Sequence, residues 1–575
     1  MADRGLKKNL TSYGDPDFSL FLRKAFVKAA GYSEDALARP IVGIADTGSD
    51  FNPCHGNMPA ILEAAKRGVM LSGALPMVFP TISLHETFSH PTSMFLRNLM
   101  AMDTEEMIRA QPMDSVLLIG GCDKTLPAQI MGALSADVPA VVLPVGPMIV
   151  GHHRGETLGA CTDCRRLWAQ FRAGTLDEAG VGRANERLAP SAGTCMVMGT
   201  ASTMALLAEA LGLALPGSGS IPSIHAERLR AAESAGRAAA RMAAANGPRP
   251  REIVTPASIR NAMVVLQAIG GSTNGIVHLA AIAQRAGHPL DLDAFDALGR
   301  KTPVLVDLKP SGRFYMEHFH QAGGLPRLLA EIGDLMDLQA QVVGGGTLGD
   351  AIPAPEDRHS QEVIRPRGSP LKAEGAMAIL RGNLCPRGAV IKQSAAAGRL
   401  LQHEGRAVVF DSIADMTRRI DNPELDVAPE DVLVLRNAGP RGAPGMPEAG
   451  YLPIPRKLAA RGVTDMVRIS DARMSGTAFG TIVLHVAPEA AAGGPLGLVA
   501  TGDRIRLDVA ARRLDLLLPE AELARRRRHP PPPPPLPARG YARLFSRSVL
   551  QADQGCDFDF LLPAPPATEQ EEQAP

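Results

Sequence analysis

Short apolar runs alternate with helix-length segments through the first half of the chain. Residues 41–45 read as a buried strand, a polar loop follows over 46–57, and helical spacing sets in over 58–70. The order then repeats. Met77-Val78-Phe79 is strand-like, Val116-Leu117-Leu118-Ile119 runs through Gly120 and Gly121 into a helix-like stretch at 125–134, and 140–145 is a further strand candidate. Strands alternating with helices predict a parallel sheet. Residues 162–190 are more polar and are expected to decorate the surface. Helices are expected over 198–213 and 226–245, and Ile269-Gly270-Gly271-Ser272-Thr273-Asn274 opens another. Its free backbone N–H groups could bind an anion, an ordinary cap being the simpler reading.

The texture changes after a stretch rich in Gly, Pro and charge at 344–370. Residues 407–410, 432–435, 481–486 and 505–518 read as short strands separated by turns, which predicts a smaller β-rich unit, a barrel. The expected fold class is therefore α/β. An N-terminal α/β domain with a parallel sheet (1–360) precedes a C-terminal β-barrel domain (371–563), and a disordered tail is expected over 564–575. The arginines at 525–528 and the prolines at 530–535 read as a low-complexity, solvated linker of polyproline character rather than a nucleic-acid patch.

Bulk composition narrows the function classes. The 575 residues are 45% hydrophobic, and 60 basic residues balance 60 acidic ones, which argues against nucleic-acid partners. No run of about 18 apolar residues predicts a membrane span, and residues 1–12 lack the apolar centre of a secretory signal. The seven cysteines are odd in number and scattered. A reducing cytoplasm, with some thiols serving as ligands, is the expectation.

Cys54, Cys122 and Cys195 share a context: each lies in a glycine-containing loop ahead of a helix, where a thiolate is favoured. Any one alone reads as a small buried hydrophobe; three in matching loops read as ligands. At Gly120-Gly121-Cys122-Asp123-Lys124 a thiol, a carboxylate and an amine stand side by side at the carboxyl end of a strand, where ligands gather in open α/β sheets. A thiolate suits a soft metal and a carboxylate a hard one. Cys161-Thr162-Asp163-Cys164 offers a redox disulfide or half a zinc site, but no second motif completes it. Cys385 and Cys556 read as structural. His55 and His85 neighbour candidate site residues without metal-pair spacing, which leaves substrate contact or plain packing.

These motifs are similar to those of the dihydroxy-acid and sugar-acid dehydratase family, over nearly the whole chain. The matching pieces are Pro53-Cys54, Gly121-Cys122-Asp123-Lys124, Gly193-Thr194-Cys195 with Met198-Gly199-Thr200-Ala201, Gly270-Gly271-Ser272-Thr273-Asn274, Pro444-Gly445-Met446-Pro447-Glu448 and Ser470-Asp471-Ala472-Arg473-Met474-Ser475-Gly476-Thr477. The resemblance implies an iron–sulfur cluster on Cys54, Cys122 and Cys195, of the [2Fe-2S] type in the sugar-acid branch that the last motif resembles. It implies Mg²⁺ held by Glu86, Asp123, Glu448 and a carbamylated Lys124, with Ser475 as catalytic base and Thr477 near the substrate. It also implies a homodimer or homotetramer. Two departures, Cys385 and the Arg/Pro segment, touch none of these residues.

The expected reaction is dehydration of an aldonate, such as L-arabinonate or D-xylonate, to a 2-keto-3-deoxy acid. Three cysteines leave one iron with an open position for the departing hydroxyl, a hard Mg²⁺ suits the carboxylate and C2 hydroxyl, and Ser475 must ionise to take the C2 proton. The rivals are a dihydroxy-acid dehydratase of branched-chain amino-acid synthesis, a non-enzymatic iron–sulfur sensor or electron carrier, and a thiol oxidoreductase using Cys161 and Cys164. Outside the resemblance, Ser475 reads as a polar turn residue, Glu86 and Glu448 as solvated carboxylates, Asp123 as a helix N-cap and Lys124 as a surface amine.

Overall fold

The computed structural model describes residues 4–10 and 13–563; the tail expected at 564–575 lies outside the described residues. Four apolar runs form the first sheet: β1 (Ile41–Asp46), β2 (Leu75–Pro80), β3 (Ser115–Gly120) and β4 (Ala140–Pro144). They are all parallel, in the order β2-β1-β3-β4. Every residue of β3 and β4 is buried, as expected where helices cover both faces. The helices of this half include α1 (Met58–Leu71), α2 (Ser93–Ala110), α3 (Cys122–Ala136), α4 (Thr162–Arg172), α5 (Thr200–Ala210), α6 (Ala226–Ala245) and α7 (Asn274–Arg285), of which α1, α3 and α6 lie directly on the sheet. Helix α1 packs on α6, and α2 on α3. The strand order places a topological switch between β1 and β3, because the chain leaves β1 towards one edge and β3 towards the other. Open α/β sheets bind ligands at such a switch, and the loops after these two strands carry Cys54 and Cys122.

The second sheet has eight strands: β7 (Ala378–Leu380), β8 (Gly388–Ile391), β9 (Gln402–Phe410), β10 (Val432–Leu435), β11 (Arg468–Ser470), β12 (Ile482–Ala487), β13 (Arg504–Asp508) and β14 (Arg513–Leu516); a small hairpin, β5 (Gly151–His153) and β6 (Glu156–Leu158), precedes it in the chain. The order is β14-β13-β9-β10-β11-β12-β8-β7. The four central strands are parallel and the outer pairs antiparallel. The two edges meet at a single bridge, where the Arg381 N–H donates to Arg512 O at 2.9 Å and the Leu514 N–H to Arg381 O at 2.9 Å. The sheet is thus mixed and nearly closed, and the expected barrel is seen only to that extent. The run at 505–518 is a hairpin, β13–β14.

Two expectations are corrected. Residues 162–190 do not merely decorate the surface. Thr162 and Asp163 in the first turn of α4 are buried, Thr162 Oγ1 donates to Thr477 O at 3.1 Å, and Asp163 accepts from Lys309 at 3.0 Å and Tyr315 Oη at 2.9 Å. The arginines at 525–528 end a helix, Glu520–Arg528, and Arg526 pairs with Asp503 at 2.5 Å. Acidic residues in the first turn and arginines in the last suit the helix dipole. No described helix is long and apolar enough to cross a membrane.

The end of the chain is fastened back onto the first half. Buried Arg97 of α2 donates to Gly555 O (2.8 Å) and Cys556 O (2.9 Å), and Arg285 of α7 holds Asp557 at 2.5 and 3.0 Å with neither side chain exposed. Removing one member of a fully buried pair strands the other charge. Asp557→Ala is expected to lower unfolding stability by about 3–5 kcal/mol, read by chemical denaturation. A loss under about 1 kcal/mol would show that this contact is dispensable.

Candidate active site

The site is built from loops at the carboxyl ends of parallel strands. From the first sheet come Cys54 and His55 after β1, His85 and Glu86 after β2, and Cys122, Asp123 and Lys124 after β3. From the second sheet come Glu448 after β10 and Ser475 and Thr477 after β11.

Buried His55 braces the thiol loops. Its Nδ1 donates to Thr47 O at 2.7 Å and its Nε2 accepts the Gly121 N–H at 2.9 Å, a pairing that requires the neutral ring. Burial pushes its pKa below the usual imidazole range. The brace leaves no room beside Gly121: a Cβ there would meet Val145 Cγ2 at 2.3 Å and Thr194 Cγ2 at 2.9 Å. The same contacts bring together the loops carrying Cys54, Cys122 and Cys195, and the Gly193 N–H donates to Pro53 O at 3.5 Å.

Cys54, Cys122 and His85 each place a ligand atom within 4.8 Å of the other two. Cys195 lies outside that set, with its Sγ 3.2 Å from Cys161 Sγ. The Cys54 thiol is pushed up by its contact with Cys122, by burial, and by the neighbouring Cys122, Cys195 and Asp123 charges. Metal binding at such thiols has to displace protons. Cys385 and Cys556 are buried among apolar side chains.

The carboxylates of Glu86, Asp123 and Glu448 also lie within 4.8 Å of one another. Three like charges this close need cations, and two are present. Lys124 is fully buried, with Nζ 3.4 Å from Glu86 and 3.6 Å from Asp123. Arg473, 1% exposed, reaches Glu448 at 2.6 Å, Glu86 at 3.2 Å and Thr92 Oγ1 at 2.6 Å. Burial alone would raise the Glu86 pKa, but Lys124, Arg473, Ser93 and Thr92 outweigh it and hold the carboxyl well below its usual range. Glu448 is pushed up, by burial first and then by Glu86. Burial alone would lower the Arg473 pKa, and the three carboxylates reverse that. None of these groups is a solvated surface residue, and the cap before α3 is Gly121 rather than Asp123.

Ser475 Oγ lies 2.8 Å from Thr477 Oγ1. The loop sits on the start of α5 and on the 270–274 motif: a Cβ on Gly476 would meet Ser272 Oγ at 2.6 Å and Thr200 N at 2.8 Å. Thr200 and Ser272 share a 2.9 Å hydrogen bond, and Asn274 donates to Thr200 Oγ1 at 3.1 Å. The glycine-rich motif therefore carries the serine loop. Sequence reasoning quoted Arg473 but gave it no role, left His85 open between substrate contact and packing, and set Cys161 aside. Its signals were the place of Arg473 two residues before Ser475, the adjacency of His85 to Glu86, and the C-x-x-C spacing.

Fold and site define an α/β protein of two sheets whose facing loops bring a set of thiols against a set of carboxylates. The chain belongs to the dihydroxy-acid/6-phosphogluconate dehydratase family: the N-terminal family model matches residues 39–351 and the C-terminal one 362–556. It is 47% identical to an L-arabonate dehydratase of Azospirillum brasilense, over 96% of each chain. It is 45% identical to a 6-deoxy-6-sulfo-D-gluconate dehydratase of Pseudomonas putida, over 93% of each. A dihydroxy-acid dehydratase of Clostridium botulinum (strain Alaska E43 / Type E3) is 37% identical, over 93% of this chain and 97% of its own.

Behind Arg473, His485 is buried with neither ring nitrogen hydrogen-bonded. Burial, then the charge of Arg473, pushes its pKa down to about 3. The folded pKa lies below the unfolded value of about 6.5, so this histidine affects stability only in acid. As the pH falls from about 6.5 towards 3, the unfolded chain binds a proton that the folded chain refuses, at about 1.4 kcal/mol per pH unit. His485→Leu is expected to remove about 2 kcal/mol of the stability lost between about pH 6.5 and 5, read by urea unfolding at both values. An unchanged acid loss would contradict this assignment.

Proposed function

We propose that this chain is a hydro-lyase that converts an aldonate, such as L-arabinonate or D-xylonate, to the 2-keto-3-deoxy acid. The observation that carries the reading is the meeting of two donor sets at consecutive residues: Cys122 stands among the thiols and Asp123 among the carboxylates. Soft sulfur and hard oxygen ligands select different metals. Three converging carboxylates fit a hard divalent cation, and converging cysteine loops fit an iron–sulfur group. In this reading Cys54, Cys122 and Cys195 hold a [2Fe-2S] cluster, and Glu86, Asp123, Glu448 and a carbamylated Lys124 hold Mg²⁺. When bound, these groups supply Lewis acidity to the leaving hydroxyl and to the substrate carboxylate.

The protein's own residues do the rest. Ser475, ionised, takes the C2 proton as the C3–O bond breaks, returns that proton to the departing hydroxide so that water leaves, and the enol tautomerises to the ketone. Thr477, 2.8 Å from Ser475 Oγ, holds that oxygen in place. Arg473 orients Glu86 and Glu448 and, with Lys124, holds Glu86 ionised. The assembly proposed is a homodimer or homotetramer in the cytoplasm. Two of the relatives above are named for sugar acids and are more similar to this chain than the dihydroxy-acid dehydratase, which supports the aldonate over the branched-chain substrate.

The test is turnover of metal-reconstituted protein on pentonates, hexonates and 2,3-dihydroxyisovalerate. Higher kcat/KM on an aldonate is expected; preference for the branched acid would replace the substrate assignment. Ser475→Ala is expected to lose about 10²–10⁴-fold in kcat while keeping its iron and magnesium. Retained turnover in that variant would remove the serine from the chemistry.

A further inference from the structure

Helix α4 sets three arginines along the wall of one cavity of about 670 Å³, and two of them are already answered. Arg166 pairs with Glu156 at 2.6 Å and Asp163 at 3.1 Å, and Arg172 forks onto Asp421 at 2.8 and 2.9 Å. Arg165 has no carboxylate partner among the described residues. Its Nε lies 3.5 Å from Thr477 Oγ1, and its two terminal nitrogens have no acceptor yet are not closed off from solvent. The side chain is fixed from two sides. Its guanidinium lies 4.9 Å over the Tyr451 ring, and buried Arg468 holds the same ring at 5.3 Å and donates to Tyr451 O at 2.9 Å. The first turn of α4 is tied to the serine loop itself, because Thr162 Oγ1 donates to Thr477 O, and Asp163 is anchored by Lys309 and Tyr315. Arg165, Tyr451 and Phe479 all line the cavity, so it lies one side chain away from Thr477.

The carboxylate end of an aldonate already has its place in the reading above, beside Glu86, Asp123 and Glu448. Arg165 touches none of these three and meets the site at Thr477 instead. What remains of the substrate at that point is its tail beyond C3. A guanidinium only donates, with five N–H groups in a rigid fork. In an aldonate each carbon past C3 carries a hydroxyl oxygen that can accept; the branched acid offers only methyl groups there. We propose that Arg165 is the specificity-determining residue of the site: its terminal nitrogens donate to hydroxyl oxygens at C4 and beyond, which selects polyhydroxy acids over the branched alkyl acid. The inference rests on the dehydratase reading and adds to it how the tail is chosen. The contact works in both directions. A polyol tail gives the fork substrate oxygens in exchange for water. An alkyl tail displaces that water and replaces it with nothing, a penalty that a site built around a hydrogen bond imposes on any analogue lacking the partner. Arg165 takes no part in proton transfer, so its effect falls on binding rather than on the chemical step.

The test uses metal-reconstituted, full-length protein. Arg165→Met removes the donors and keeps an unbranched stem over Tyr451. Its KM for whichever of L-arabinonate and D-xylonate the wild type prefers is expected to rise about 10–100-fold, with kcat within about threefold of wild type and with iron and magnesium content unchanged. The Ki of 2,3-dihydroxyisovalerate, measured as a competitor, should stay the same or fall. An unchanged KM, or a rise in KM matched by an equal rise in Ki, would overturn the proposal, since damage to the fold or to the carboxylate end weakens both ligands alike. A second measurement needs no variant. Wild type should bind 2,3,4-trihydroxybutanoate at least about tenfold more tightly than 2,3-dihydroxybutanoate, which has no oxygen past C3; equal binding would also overturn the assignment. If the wild type turns over no aldonate at all, the reading of the reaction fails and this assignment falls with it. Aldonate turnover that Arg165→Met leaves untouched sinks the assignment alone.

Discussion

Three carboxylates gathered within a few ångströms impose the governing constraint on this molecule. Glu86 comes from a loop of the first sheet, Asp123 from the start of α3, and Glu448 from the second sheet. Left alone they would repel one another and hold the two sheets apart. Arg473 reverses this by spanning Glu86 and Glu448 with one buried guanidinium, while Lys124, as the free amine, answers Glu86 and Asp123. A buried ionic network of this kind adds less stability than a well-packed apolar core would. Its value lies in fixing geometry, since every charge is oriented by the others.

The thiol side is held by a different means. His55 is neutral and hydrogen-bonded at both nitrogens, so it acts as a strut between β1 and the Gly121 turn. Close backbone approach does the remaining work, which is why glycines recur in each motif. The two sides meet at Cys122 and Asp123, where one peptide unit separates a soft donor from a hard one.

Much of the first sheet was legible because a fully buried parallel strand is a local signal: a short apolar run with turn residues after it. The second sheet was less so. The runs read from the sequence cover β9, β10, β12 and the β13–β14 hairpin but not β7, β8 or β11, and the mixed order and near closure depend on pairings between distant segments, such as Arg381 with Arg512 and Leu514. The helix at Glu520–Arg528 was missed because four consecutive arginines look like a solvated run, and only their partners reveal otherwise. Within the site, Cys54, Cys122 and Cys195 could be named from their matching loops. Glu86, Glu448 and Ser475 could not be told from ordinary turn or surface residues without the family resemblance. Arg473 and Arg165 had no readable role, since their partners Glu86 and Thr477 lie 387 and 312 residues away. Such roles arise from proximity in space, which periodicity along the chain does not encode.

The central claim is that adjacent residues serve two different metals. Metal analysis of two variants, after anaerobic reconstitution with iron, sulfide and magnesium, tests it most directly. Cys122→Ser should lose iron and sulfide yet keep magnesium, and Asp123→Asn should lose magnesium yet keep iron and sulfide. If both variants keep both metals, or if either change removes both together, the two donor sets are not separate sites and the account is wrong.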